Sequence, residues 1–77
     1  MKIKVIVTLK KGVLDPQGKA IQQTLNGMSF ASVNEVRQGK YFEIEVNEKE
    51  ETKAKSIVEE MCKKLLANLV IEDYKII

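Results

Sequence analysis

Val13-Leu14-Asp15-Pro16-Gln17-Gly18-Lys19-Ala20-Ile21 closes one β-like run and opens one helix-like run. It holds the only proline of the chain and one of its four glycines. Asp15 suits a helix N-cap, because its carboxylate can accept from the free amides of a first turn. Pro16 suits the first helical position, where the N–H it lacks would find no partner anyway. Ala20, Ile21, Thr24, Leu25 and Met28 follow at helical spacing on one side, and Gln17, Lys19, Gln22, Gln23 and Asn26 on the other. Asn26-Gly27 ends this helix, with the glycine free to turn left-handed.

Upstream, residues 2–10 alternate with a period of two: Ile3, Val5, Val7 and Leu9 on one face, Lys2, Lys4, Ile6 and Thr8 on the other. That is a strand, and Lys11 to Leu14 turn the chain out of it. Downstream, residues 31–38 read as a second strand. Its alternation slips between Val33 and Val36, which marks a bulge or a weakly patterned edge. Gln38-Gly39 reads as a tight turn and residues 40–47 as a third strand, with Phe42, Ile44 and Val46 inward and Tyr41, Glu43 and Glu45 outward. The second and third strands make a hairpin.

Asn47 with Glu50 three residues on has the spacing of a capping box. The helix it starts carries Ala54, Ile57, Val58, Met61, Cys62, Leu65 and Leu66 at i, i+3, i+4, i+7 spacing. Glu48, Glu50 and Glu51 near its start and Lys63 and Lys64 near its end favour the helix dipole. Asn68 is placed for a left-handed stop, and residues 70–77 form a last strand. Strand, helix, strand, strand, helix, strand with right-handed crossovers predicts an α+β, ferredoxin-like βαββαβ fold. Its four-stranded antiparallel sheet carries two helices on one face. The open face, with Ile6, Tyr41 and Tyr74, is either a partner surface or a solvated face.

The chain has 77 residues, which predicts a single domain over 1–77. A domain this short buries only roughly 60% of its unfolded surface. With one cysteine and no histidine, neither an internal disulfide nor a zinc set can support it, which makes oligomerisation the remaining device. Thirteen basic against eleven acidic residues is too mild a balance to imply nucleic acid or membrane. The N-terminal run is broken by Lys4, Thr8, Lys10 and Lys11 and does not read as a signal peptide. A cytoplasmic protein is expected.

Chemistry-bearing groups are few. Without histidine no histidine-based triad or dyad can form. Cys62, on the apolar side of its helix, reads as a buried core thiol. Glu43 and Glu45 share a strand face as solvated charges. Gly12 and Gly18 lack the lysine and hydroxyl spacing of a phosphate loop. Arg37 and Lys40 flank a turn and could meet an anionic group of a partner. The third strand faintly echoes RNA-recognition domains, but Glu43 and Glu45 beside the single outward aromatic Tyr41 would repel phosphate.

Three blocks carry a family resemblance: Val13 to Ile21; Val33 to Val36-Arg37-Gln38-Gly39-Lys40-Tyr41-Phe42-Glu43-Ile44; and Cys62-Lys63-Lys64-Leu65-Leu66-Ala67-Asn68 with Val70-Ile71-Glu72-Asp73-Tyr74. In this order and spacing they resemble the PurS family, the small subunits of phosphoribosylformylglycinamidine (FGAM) synthase, over essentially the whole chain. One departure is Leu69, where the family commonly has proline. The resemblance implies a homodimer or tetramer that bridges a PurQ-like glutaminase and a PurL-like synthetase in purine biosynthesis. It implies a non-catalytic chain with no cofactor of its own, ATP and magnesium being held by the synthetase, and a role in ammonia transfer. Leu14, Asp15, Pro16, Gln17, Gly18, Arg37, Gly39 and Lys40 are then the residues that contact partners or shape the loops that do. Two alternatives share the topology: an ACT-like ligand-binding module, and an acylphosphatase-like hydrolase. The hydrolase places an arginine in the first strand–helix loop, and residues 10–18 contain none.

Overall fold

The computed structural model describes every residue, Met1–Ile77. Strand β1 (Lys2–Leu9) is central. It pairs antiparallel with β2 (Gly39–Glu45) on one side and β3 (Glu72–Ile76) on the other. Helix α1 (Pro16–Gly27) follows β1, and helix α2 (Glu51–Met61) joins β2 to β3.

The alternation in β1 sends Ile3, Val5 and Val7 to one sheet face, where all three are buried. Ala54 and Val58 of α2 and Cys62 just beyond its end pack onto them, and Val46 and Ala67 complete the core. Both β-branched and small residues contribute, so the helix sits close to the sheet. On the opposite face Ile6 lies directly across from Tyr41 among exposed charges. Lys2 pairs there with Glu43 at 3.4 Å and Lys10 with Asp73 at 3.8 Å. Tyr74, expected on that face, instead packs against the core, because pairing sets it opposite Val7.

The sheet has three strands, not four. Residues 33–38 form neither a strand nor a turn, and they run straight into β2 instead of folding back on it. The tight turn expected at Gln38-Gly39 is absent because the amide of Gln38 and the side chain of Arg37 are held elsewhere, as described below. The two helices also do not share the sheet face. Only α2 covers it, while α1 and the segment returning from it project as an arm, residues 15–38. The molecule therefore measures 49 × 23 × 14 Å with a radius of gyration of 16.0 Å. A compact chain of this length would have a radius of roughly 11–12 Å.

Several local expectations are corrected as well. The glycine of Asn26-Gly27 is not the left-handed residue; Ser29 takes that conformation, at φ 77°. The side-chain amide of Asn26 closes the turn by donating to Phe30 O at 3.0 Å and Val33 O at 3.1 Å. Helix α2 starts after Glu50 without a side-chain cap, so Asn47 and Glu50 form no capping box. The Glu48 carboxylate accepts from the amides of Lys49 and Glu50 instead. At its far end α2 widens into a π turn, Cys62–Leu66, closed by Ala67 N donating to Cys62 O at 3.0 Å. The extra residue rotates everything after it by about 100°. Leu65, which a regular helix would place with the apolar stripe, is thrown out to 84% exposure, and Ala67 enters the core. The left-handed stop expected at Asn68 is thereby unnecessary; its Oδ1 accepts from Val70 N instead. No helix is long and apolar enough to cross a membrane.

Candidate functional site

The residues singled out in the sequence converge on one corner, where the arm leaves the sheet. Asp15 caps α1 as its position predicts: Oδ1 accepts from Gly18 N at 2.9 Å. Its other oxygen does something the local sequence does not announce. Oδ2 accepts from Gln38 N at 2.6 Å, twenty-three residues away. One carboxylate thus buttons both ends of the arm together. Asp15 is buried, and the two amide donors, Gln38 first and Gly18 second, hold its carboxyl below the ordinary aspartate range. Burial opposes them, and the Arg37 guanidinium reinforces them.

Arg37 supplies the second half of this clasp. Its Nη1 donates to Val13 O at 2.8 Å and its Nη2 to Lys10 O at 3.1 Å. A planar guanidinium suits such a fork, and lysine could not reproduce it. The two carbonyls belong to the turn that follows β1, whose Gly12 sits at φ 85°. Gly18 is the third fixed point. A Cβ there would collide with the carbonyl oxygen of Val36 and press on the Asp15 carboxylate, so only glycine lets the helix lie against the returning segment.

Beside the clasp is a cleft of about 230 Å³ lined by Val7, Leu9, Asp15, Gln17, Gln38, Gly39, Lys40 and Glu72. Lys40 reaches across β1 to Glu72 at 3.5 Å. Leu14, 73% exposed, and Arg37 line a neighbouring polar groove with Lys19, Gln22, Asn34 and Glu35. The structure therefore brings together all eight residues, Leu14 to Gly18 with Arg37, Gly39 and Lys40. Gln38 and Glu72 also belong to the corner. Gln38 contributes through its backbone, which no side-chain pattern reveals. Glu72 lies within the expected last strand, where nothing in the sequence signals a partner on β2.

The charged groups of this corner are engaged by the chain itself. Both Asp15 oxygens accept backbone amides, Arg37 grips two carbonyls, and Lys40 faces Glu72. Such groups hold a shape; they do not offer a free base or a free anion site. Away from the corner, burial, with a smaller push from Glu59, drives the Cys62 thiol up from its ordinary pKa. It is a core residue with no thiolate character.

One side of α1 presents apolar groups outward. Ala20, Ile21, Thr24 and Leu25 line a shallow groove on α1. Met28 and Phe30 beyond it are 61% and 52% exposed. Large apolar side chains are thus gathered on the projecting element.

Comparison with known proteins follows the same line. The profile of the family described as "PurS: Phosphoribosylformylglycinamidine (FGAM) synthase" matches residues 2–77. The phosphoribosylformylglycinamidine synthase subunit PurS of Bacillus subtilis (strain 168) is 53% identical over 74 residues, 96% of this chain and 87% of that protein. The crystal structure of PurS from Methanocaldococcus jannaschii superimposes with a TM-score of 0.87. It is 54% identical, with 99% of this chain and 92% of that one covered; that protein is a subunit of formylglycinamide ribonucleotide amidotransferase in the purine biosynthetic pathway. A chain in the structure of PurLQS from Thermotoga maritima superimposes with a TM-score of 0.86 at 32% identity, covering 100% of this chain and 96% of that one.

Proposed function

Because this chain belongs to the PurS family, and is thus a subunit of FGAM synthase in purine biosynthesis, we propose that it is the non-catalytic connector of that glutamine-dependent ligase. In this role it bridges the PurQ glutaminase and the PurL synthetase while formylglycinamide ribonucleotide, glutamine, ATP and water become formylglycinamidine ribonucleotide, glutamate, ADP and phosphate. ATP and magnesium belong to the synthetase, and the cysteine nucleophile to the glutaminase. This chain itself works as a homodimer or a tetramer.

The observation that carries the proposal is the clasped corner. Its acid and its cations are engaged internally, while the arm it orients exposes Ile21, Met28 and Phe30. That is the build of a part that docks. Asp15, Gly18, Arg37 and Gly39 set the corner's shape. Leu14, Pro16, Gln17 and Lys40 form the surface that meets partners. Docking also has a chemical purpose. Ammonia released in water near neutral pH is mostly ammonium, which is no nucleophile. A connector that seals the two active sites together keeps it neutral by excluding water.

Reconstitution tests this. Glutamine-dependent FGAM formation by the glutaminase and synthetase should require the chain, whereas synthesis supplied with excess ammonia should persist without it. Unchanged glutamine-dependent turnover on omission would sink the proposal.

A further inference from the structure

Leu65, Val70 and Leu14 are the most exposed large apolar side chains of the molecule, at 84%, 82% and 73%. The topology gathers their segments at one end of the body. β1 and β3 are antiparallel with Leu9 opposite Glu72, so β3 starts where β1 stops. Leu14 follows the turn that leaves β1, and Leu65 and Val70 lie in the π turn and the loop that lead into β3. That loop is pinned. Lys10 N donates to Ile71 O at 2.8 Å, and Asn68 holds the loop from within, its Oδ1 accepting from Val70 N and its carbonyl from the amides of Ile71 and Glu72. Apolar side chains on a pinned backbone lose little freedom when a partner covers them. The π turn also sets aside two ion pairs that the spacing offers. Glu59–Lys63 and Glu60–Lys64 stand at i, i+4, the spacing at which Glu51 meets Lys55 at 3.0 Å. The π turn starts between them, at Cys62, and neither pair forms.

Charge at this end is one-sided. The carboxylates of these end segments are engaged: Asp15 by two amides, Glu72 by Asn68 N and Lys40, Asp73 by Lys10. Lys11, Lys63 and Lys64 have no carboxylate partner. Resting on the connector reading above, we propose that this end of the body docks into another subunit of the ligase, through an apolar socket rimmed by carboxylates. Leu65 and Val70 fill the socket, and the three free lysines meet its rim. A second copy of the chain does not supply such a socket. Two-fold pairing of this end sets lysine against lysine. The apolar side of α1 belongs to a helix that carries Lys19 and no acid. The carboxylates at the start of α2 are already spent, Glu48 on two amides, Glu50 on Lys53 and Glu51 on Lys55.

The test titrates the full chain into the glutaminase and synthetase subunits and reads the chain concentration that gives half-maximal glutamine-dependent turnover. Sedimentation of each chain alone runs beside it. Leu65→Ser is expected to raise that concentration at least ~10-fold, the cost of a leucine left unburied, with full turnover recovered at saturation. Lys63→Glu with Lys64→Glu is expected to raise it about as much at low salt, by an amount that shrinks as salt rises. Self-association is expected to stay as in the unaltered chain. Unchanged half-saturation in both variants would overturn the docking end and leave the connector reading standing. A loss of self-association in either variant would assign the surface to a second copy and overturn the inference. If the unaltered chain does not stimulate turnover at all, the connector reading fails and the docking end fails with it. Both changes are at exposed positions. Should one nevertheless unfold the body by circular dichroism, Val70→Ser, 82% exposed in the loop, takes its place with the same expected rise as Leu65→Ser.

Discussion

The body of the molecule and its arm are built from equally amphipathic sequence but are held in opposite ways. In the body, β1, α2 and the π turn after it bury Val5, Val7, Ala54, Val58 and Cys62 completely. In the arm, residues 15–38, the only buried residues are Asp15 and Gly18. The body is stabilised by removing apolar surface from water, which is non-directional and roughly proportional to area. The arm is fixed at its root by directional bonds: two amides on one carboxylate and two carbonyls on one guanidinium. Such bonds set an angle but bury little, so the arm's own apolar side stays open for another chain.

The largest effect should come from Val58→Asp. A charge without a partner in the core is expected to remove more than ~4 kcal/mol, enough to unfold so small a domain. The matching change in the arm, Ile21→Asp, should cost the dilute chain under ~0.5 kcal/mol in urea denaturation while weakening self-association. Equal costs for the two would erase the distinction between body and arm.

Gly18→Ala should come next, at roughly 1–3 kcal/mol, because the new methyl group forces Val36 and Asp15 apart. Limited proteolysis at Lys19 should accelerate while the β1 amides keep their protection. If cleavage is unchanged, the corner has more room than its geometry indicates.

A smaller, pH-dependent effect belongs to Asp15. Its folded-state pKa lies below the unfolded value, so its contribution is fully present above the ordinary aspartate range. It is lost as pH falls below about 4 and on through the lowered folded value. Amides of α1 should lose protection at higher pH than those of β1, and Asp15→Asn should remove that difference. The smallest effect is expected from Lys2→Ala, which breaks the exposed Lys2–Glu43 pair. It should shift stability by under ~0.5 kcal/mol, a size that marks the charged sheet face as solvated.

Much of this was legible in the chain. Alternation fixed β1 and β2, helical spacing fixed α1 and α2, and Asp15-Pro16 marked where α1 begins. The three family blocks identified the protein's relatives, and all eight expected site residues meet at one corner. Legibility failed where a neighbour was decisive. Residues 31–38 have the composition of a strand, but a strand needs an edge, and the chain's own edge is out of reach. Leu65 fits the apolar stripe of a regular helix, but a single π turn rotates it into water.

Local residue chemistry by itself determined which segments are helical or extended, which face of each is apolar, and that no histidine-based site exists. Those properties depend on φ, on side-chain branching and on periodicity, all of which are written residue by residue. Only the tertiary structure decided that Asp15 ties α1 to Gln38, that Arg37 grips the turn after β1, and that the arm points away from the sheet. These rest on contacts between residues more than twenty positions apart. Their partners are mostly backbone groups, which every residue possesses and no sequence pattern distinguishes.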